Sequence, residues 1–397
     1  METKTNMRVL EALVMAAQIT FFPVGDGDMT LIELDSGRTI LIDMNIRSAA
    51  DDPDEEARDV AGDLKDRLKS DGANRPYVDA LLLSHPDQDH CRGLQKHFHL
   101  GKPEDYRQGK ILIREVWSSP MIFRRASSSN PLCEDARAFN REAKRRVERY
   151  RESGSAVGAG DRILILGRDK NGKTDDLTDI LVEIDQVISR VNGQRDAGLS
   201  ARLLGPFPEA DLTEEEEALT KNDSSIIIHF RLIADGGECR FLTGGDARVG
   251  IWERMWERHS HHPEWLEYDL LQAPHHCSWR SLSHDSWRDR GKQAEVSGDA
   301  REALGQALSG AHVIASSKPV SNEDNDPPCI RAKREYEKIV EPVSGVFKCT
   351  GETPKPSKPA PMEFEVDRHG LCLSPAKAAA PAIIASDAGR GEPLPHG

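Results

Sequence analysis

Apolar residues fall along this chain in short runs that stop abruptly at polar clusters, and the runs alternate with stretches of helical spacing. Residues 19–24, 29–34 and 39–43 read as strands, the last two joined by the turn Asp35-Ser36-Gly37. Residues 55–69 place Ala57, Val60, Ala61, Leu64 and Leu68 on one helical face. The run Ala80-Leu81-Leu82-Leu83 ends at Ser84, the pattern of a buried strand entering a loop. Further strands are expected at 111–117, 161–167, 202–206, 226–228, 240–246, 270–273, 312–315, 346–350 and 362–366. Helices are expected at 247–258, 302–308 and 331–340, and at 180–191 within the polar stretch 171–200. Residues 1–17 read as a tail, and the Ala-, Pro- and Gly-rich stretch from 374 on as disordered. Strands alternating with helices, each strand ending in a polar cluster, predict an α/β fold with its site at one edge.

The loop that follows Leu83 carries the chemistry. His85-Pro86-Asp87-Gln88-Asp89-His90 supplies two imidazoles and two carboxylates within six positions. Groups packed this closely repel, or strand unpaired polar atoms, unless a cation sits between them; a divalent metal is the usual answer. The plain alternative is an acidic loop in solvent. Two later strand ends carry similar chemistry: Thr243-Gly244-Gly245-Asp246, and Ala273-Pro274-His275-His276-Cys277-Ser278. Asp246 alone would read as a Gly-Asp turn, but its two oxygens could serve two cations, and flanking glycines let the backbone come close. Asp28 and Asp43 fit turn chemistry and strand-end capping as well as a role near the site.

The stretch His85 to His90 resembles the first metal motif of the metallo-β-lactamase fold, H-x-H-x-D-H. Asp87 stands where the second His usually stands, a variant typical of the hydrolase domain of the ComEC DNA-uptake channel and its freestanding relatives. The opening stretches Val24-Gly25-Asp26-Gly27-Asp28 and Leu41-Ile42-Asp43 are similar to the same branch, as is Pro274-His275-His276-Cys277-Ser278 to its P-H-H-G-S. The resemblance spans residues 18–373. It implies an αββα four-layer sandwich and two divalent ions, Zn or Mn, whose activated hydroxide hydrolyses a phosphodiester. Carried over residue by residue, the implied metal ligands are His85, Asp87, Asp89, His90, Asp246 and His276, with His276 favoured over His275. Asp89 and His275 are the implied catalytic groups, Asp89 orienting water and His275 contacting substrate or donating a proton. Asp28, Asp43, Asn222, Ser278 and Asp326 are expected behind the ligands or against substrate. Cys277 replaces a Gly and reads as a small filler. The wider fold's third motif normally offers a His; residues 221–225 have none, leaving Asn222 or Asp223. Late in the chain Asp326, in Asn325-Asp326-Pro327, stands where the branch tends to carry His. This oxygen-rich set makes Mn more plausible than at an all-His site.

Composition narrows the reading. The chain has 397 residues, 38% hydrophobic and 30% charged, and no apolar stretch approaches a membrane span. No secretory signal is evident at its start. Seven cysteines without a CxxC pair suggest reduced thiols and a cytoplasmic location. A net charge of −14 repels nucleic acid at long range, but not from metals that face a phosphate directly. Residues 118–160 read as a helical insertion carrying a basic patch: Arg137, Arg141, Lys144, Arg145, Arg146, Arg149 and Arg151 against Glu142 and Glu148. That patch is either a solvated helix face or a phosphate contact. Three functions stay open. They are a phosphodiesterase on DNA or RNA, a hydrolase of a small phosphodiester such as a lipid head group or nucleotide, and a non-catalytic metal-stabilised subunit with a protein partner.

Overall fold

A computed structural model describes residues 16–52, 55–123, 131–169, 171–207, 224–323 and 325–374. The fold is mixed α/β. Among the described residues, ten strands form a first sheet. Its order is Gly370–Leu373, Met362–Asp367, Ala17–Phe21, Thr30–Glu33, Thr39–Ile42, Tyr77–Leu83, Ile111–Ser118, Arg162–Leu166 and Leu181–Val182, with Phe98–His99 paired beside Ile111. Seven form a second: Val187–Ile188, Leu199–Gly205, Ile227–Ala234, Gly237–Leu242, Tyr268–Gln272, Ala307–Ala315 and Val346–Cys349. Each sheet is antiparallel on one side and parallel on the other. The parallel strands are reached by crossovers long enough to hold helices.

The two-residue alternation of each strand sorts its side chains between cores. Ile19, Ile32, Ile40, Leu82 and Trp117 of the first sheet pack against Leu203, Ile228, Phe230, Phe241 and Ile314 of the second. The intervening residues of the first sheet, among them Leu31, Leu41, Leu81 and Val116, pack with Val60 and Leu64 of helix Val60–Lys65 and with Phe139 and Val147 of helix Glu134–Ser153. On the other face of the second sheet, Leu242, Leu271 and Val313 pack with residues of helices Val249–His259, Gly298–Leu304 and Ile330–Val340. In strand Tyr77–Leu83, residues 80–83 are buried on both faces, which is why that stretch reads as an unbroken apolar run. Among the described residues, no helix is long and apolar enough to cross a membrane.

Three expectations are corrected. The helix expected at 55–69 is only Val60–Lys65, because Asp59 accepts from the Gly62 amide and caps its start. Residues 180–191 are not helical; they hold the short strands Leu181–Val182, Val187–Ile188 and Arg190–Val191. The expected insertion carries the crossover helix Glu134–Ser153 between two paired parallel strands. Its Phe139, Ala143 and Val147 are core residues. Most of its basic residues are spent on carboxylates: Arg145 on Glu142 and Asp161, Arg146 on Glu142, Arg149 on Glu152 and Arg151 on Asp176.

Candidate metal centre

Parallel strands of both sheets deliver polar residues to one place. Thr39–Ile42 leads to Asp43 and Tyr77–Leu83 to Ser84, whose backbone amide donates to Asp43 Oδ1 at 2.7 Å. In the second sheet, Gly237–Leu242 leads to Asp246 and Tyr268–Gln272 to the two histidines. The His275 amide donates to the Gly245 carbonyl at 2.9 Å, joining those two loops. The Ile226 amide donates to the Ser84 carbonyl at 3.0 Å, tying the second sheet to the first.

Two local features set the side chains. A Cβ on Gly244 would lie 2.7 Å from Trp252, and one on Gly245 2.9 Å from Ser225 and 3.3 Å from Ser84. These positions therefore tolerate only glycine, and the chain comes in close enough to bury Asp246. His275, His276 and Cys277 take φ of 51°, 52° and 70°. Left-handed backbone costs a residue with a Cβ about 1–2 kcal/mol, so three in succession must be held by their surroundings. The Cys329 amide donates to the Cys277 carbonyl at 2.9 Å, and Ser278 Oγ donates to Asp326 at 2.6 Å. The turn sets the two imidazoles nearly at right angles, 74° between planes.

Asp246 stands at the centre, buried, with a different pair of imidazoles on each oxygen. Its Oδ1 lies 3.1 Å from His90 Nε2 and 3.5 Å from His276 Nε2. Its Oδ2 lies 3.6 Å from His85 Nε2 and 3.5 Å from His275 Nε2. Asp87 approaches His85 Nε2 at 3.7 Å, and Asp89 approaches His276 Nε2 at 3.4 Å. None of these contacts is aligned as a hydrogen bond. His85 Nε2, His90 Nε2, His276 Nε2 and Asp246 Oδ1 are buried without a hydrogen-bond partner. Orphaned buried polar atoms are costly, and so many converging on one point fit a cation rather than a solvent-free gap. The buried cluster Asp28, His90, Asp246 and His276 could hold a metal ion.

Behind the imidazoles lies a layer that orients them. His90 Nδ1 donates to Asp43 at 2.8 Å, and Ser84 Oγ donates to the same carboxylate at 2.5 Å while lying 3.1 Å from His85 Nδ1. Each interaction leaves an Nε2 facing Asp246, the arrangement by which outer carboxylates fix metal-binding histidines. Asp28 Oδ1 sits 3.5 Å from His276 Nδ1, with neither atom hydrogen-bonded, so Asp28 stands with the candidate ligands rather than behind them. Burial alone would push His90 and His276 down, but the carboxylates of Asp246, and of Asp43 and Asp28 respectively, outweigh it and hold both well above the usual histidine range. For Asp246, burial pushes upward and His90, His276 and His85 pull its carboxyl well below the usual range. Burial also lowers His275, more than the Asp246 carboxylate beside it raises it, which favours the neutral imidazole. Side-chain exposure is 28% for Asp87, 36% for Asp89 and 16% for His275, against 0% for His85, His90 and His276. The mouth of the site is on that exposed side.

The residues expected at the site thus gather there, with three qualifications. His275 is on the second oxygen of Asp246 beside His85, not set apart from the cluster. Asp326 is not among the ligand atoms; it accepts from Ser278 Oγ and from the Trp279 amide and so braces the histidine turn. Asn222 lies outside the described residues. Sequence reasoning missed Ser84 and Ser225, whose Oγ accepts from the Asp246 amide at 3.0 Å. Their one signal was position, since each stands where an apolar run meets the cluster. Comparison with models of known protein families gives no match, and comparison with curated proteins gives none either. The functional reading therefore rests on this geometry.

Proposed function

We propose that the chain is a freestanding metal-dependent phosphodiesterase, or nuclease, of the metallo-β-lactamase fold and the ComEC-type branch. The observation that carries this reading is the two-sided placement of Asp246. Its oxygens divide the cluster into His85, Asp87 and His275 on one side and Asp89, His90 and His276 on the other. Each set, completed by the shared Asp246, offers two imidazoles and two carboxylates, a donor set suited to Zn or Mn. In this reading His275 supplies the imidazole that residues 221–225 lack. The three apolar clusters, one between the sheets and one under each helical face, are what an αββα four-layer sandwich would have. Seven free cysteines are in keeping with a reducing cytoplasm.

When bound, such a pair of ions supplies Lewis-acid polarisation of a phosphoryl oxygen and acidifies water. The chain's own residues do the rest. Asp87, Asp89 and His275 line the open side, where a phosphodiester would enter. Asp89, the most exposed carboxylate of the set, accepts a hydrogen bond from the attacking water and orients it. The buried imidazoles and Asp246 exclude bulk water beneath the reacting phosphorus. Protein reconstituted with Mn²⁺ or Zn²⁺ should hydrolyse bis-p-nitrophenyl phosphate, and Asp246→Ala and Asp89→Ala should each lower the rate by at least about 100-fold. A metal-loaded wild type without turnover overturns the reading.

A further inference from the structure

We propose that Cys91 and Cys133 are a redox-active pair, which hydrogen peroxide closes into a disulfide that loosens the loop carrying the candidate metal ligands. The inference rests on the metal centre and not on the phosphodiesterase reading. Cys91 is buried and ends the short helix Gln88–Cys91, directly after His90. Cys133 is half-buried and caps the start of the long helix Glu134–Ser153. Their sulfurs lie 3.5 Å apart although 42 positions separate them in sequence. A disulfide needs about 2.05 Å, so an approach of about 1.5 Å closes the bond. The two segments are already pinned side by side, because the Gly93 and Gln95 amides both donate to the Asp135 carboxylate at 2.9 Å.

Exposure and surroundings give the two thiols different parts. Of the seven cysteines, Cys133 and Cys372 reach the surface. Cys133 Sγ accepts from the Ala136 amide at 3.3 Å, at a helix end whose backbone N–H groups favour an anion. The Cys91 thiol beside it, together with that amide, lowers Cys133 to about 6, which favours the thiolate. Burial and the Asp367 carboxylate instead raise Cys372. Cys133 is therefore the attacking sulfur. Its thiolate takes one oxygen of the peroxide as the O–O bond breaks, leaving a sulfenic acid and a hydroxide that picks up the proton Cys133 had lost. The Cys91 sulfur then attacks the Cys133 sulfur. The S–S bond forms, the S–O bond breaks, and the Cys91 proton leaves with the hydroxide as water. In sum, two thiols and one hydrogen peroxide give one disulfide and two waters. Before closure the Cys91 thiol donates to the Asp87 carbonyl at 3.1 Å. Closure removes that bond and draws the end of the short helix towards the long one. Asp87, Asp89 and His90 precede Cys91 by four, two and one positions, so the ligand loop moves with it.

The test uses the full-length protein, reduced and then freed of metal with EDTA. One equivalent of hydrogen peroxide should give a monomer lighter by two hydrogens. Peptide mapping without reductant should join Cys91 to Cys133, and dithiothreitol should reverse the link. Cys133→Ser keeps a helix cap and should lose the cross-link. Cys91→Ser should stop at a sulfenic acid on Cys133, captured by dimedone. Mn²⁺, which binds thiolates poorly, reads the coupling through competition with a chelating dye. Oxidised wild type should hold it at least about tenfold more weakly than reduced wild type. Peroxide-treated Cys133→Ser should hold it as reduced wild type does. The inference is overturned if the disulfide joins other cysteines, if Cys372 is oxidised ahead of Cys133, or if Mn²⁺ binding is absent or equal in both states. Phosphodiester turnover is not a readout, so an inactive protein would sink the phosphodiesterase reading and leave this test standing.

Discussion

Asp43 lies behind His90, on the side away from Asp246, and its replacement by Asn is the sharpest probe of the centre. The carboxylate is buried and accepts three hydrogen bonds: from the Ser84 amide at 2.7 Å, Ser84 Oγ at 2.5 Å and His90 Nδ1 at 2.8 Å. Asn matches its size and adopts left-handed backbone readily, so the φ of 54° at this position is preserved. The carbamoyl oxygen can keep the Ser84 amide. Its nitrogen then faces His90 Nδ1 and donates to it, so the imidazole proton must move to Nε2. That proton points at Asp246, into the position a ligand lone pair must occupy. The loss combines one charge-assisted hydrogen bond, about 1.5–3 kcal/mol, with a tautomer unable to bind. Metal affinity should fall about 10–100-fold, or about 1.4–2.7 kcal/mol. Competition with a chromogenic chelator would measure it, and far-ultraviolet circular dichroism would verify that the sheets are intact. If Asp43→Asn bound Zn²⁺ or Mn²⁺ as tightly as wild type, the idea that this carboxylate sets the His90 tautomer would be wrong.

Other outcomes follow from the same structure. Because the candidate ligands come from both sheets, saturating metal at about 100 times its Kd should stabilise the protein by about 2.7 kcal/mol per site, and EDTA should lower the melting temperature; an unchanged melting temperature refutes a cation there. Arg146 is buried and bonds Glu142 and the carbonyls of Arg162 and Ile113, so Arg146→Ala should cost about 3–5 kcal/mol in urea unfolding without altering metal content. Burial lowers His229 to about 4, against about 6.5 in the unfolded chain. Between those values only the unfolded chain takes the proton. The stability at stake is therefore full above about pH 6.5 and is lost towards pH 4, by about 3 kcal/mol at most. His229→Gln, which can still donate to the Glu267 carbonyl, should flatten that part of the urea-midpoint profile, and an identical slope in the variant counts against the assignment.

Much of the centre was legible because it uses strand ends. The apolar run 80–83 stops at Ser84, 240–242 stops before Asp246 and 270–273 before the histidine pair. Parallel strands of one sheet end on one side, so residues far apart in the chain meet. What could not be read was the direction in which His275 and His276 point. That follows from three successive left-handed residues, a conformation their side chains disfavour and only the packed loops enforce. The false helix at 180–191 has a similar cause. Ile180, Ile184, Val187, Ile188 and Val191 have helical spacing, but Asp185 and Asn192 take φ of 69° and 52° and turn the chain into short strands. A phosphate contact stayed open beside a solvated face for the basic patch on the long helix only while its carboxylate partners, some of them distant in sequence, were unseen.

The pairing of Ala17–Phe21 has a consequence for biosynthesis. One side of that strand meets Thr30–Glu33 at once, but the other waits for Met362–Asp367, with Ala17 opposite Val366. While the ribosome is still making the intervening chain, the first half exposes an unsatisfied, largely apolar ribbon edge of the kind that recruits neighbouring nascent chains. All the candidate ligands emerge before that edge is closed. A cation bound at that cluster would bridge the two sheets while the edge is still open, linking the first half to the second before the last strands arrive.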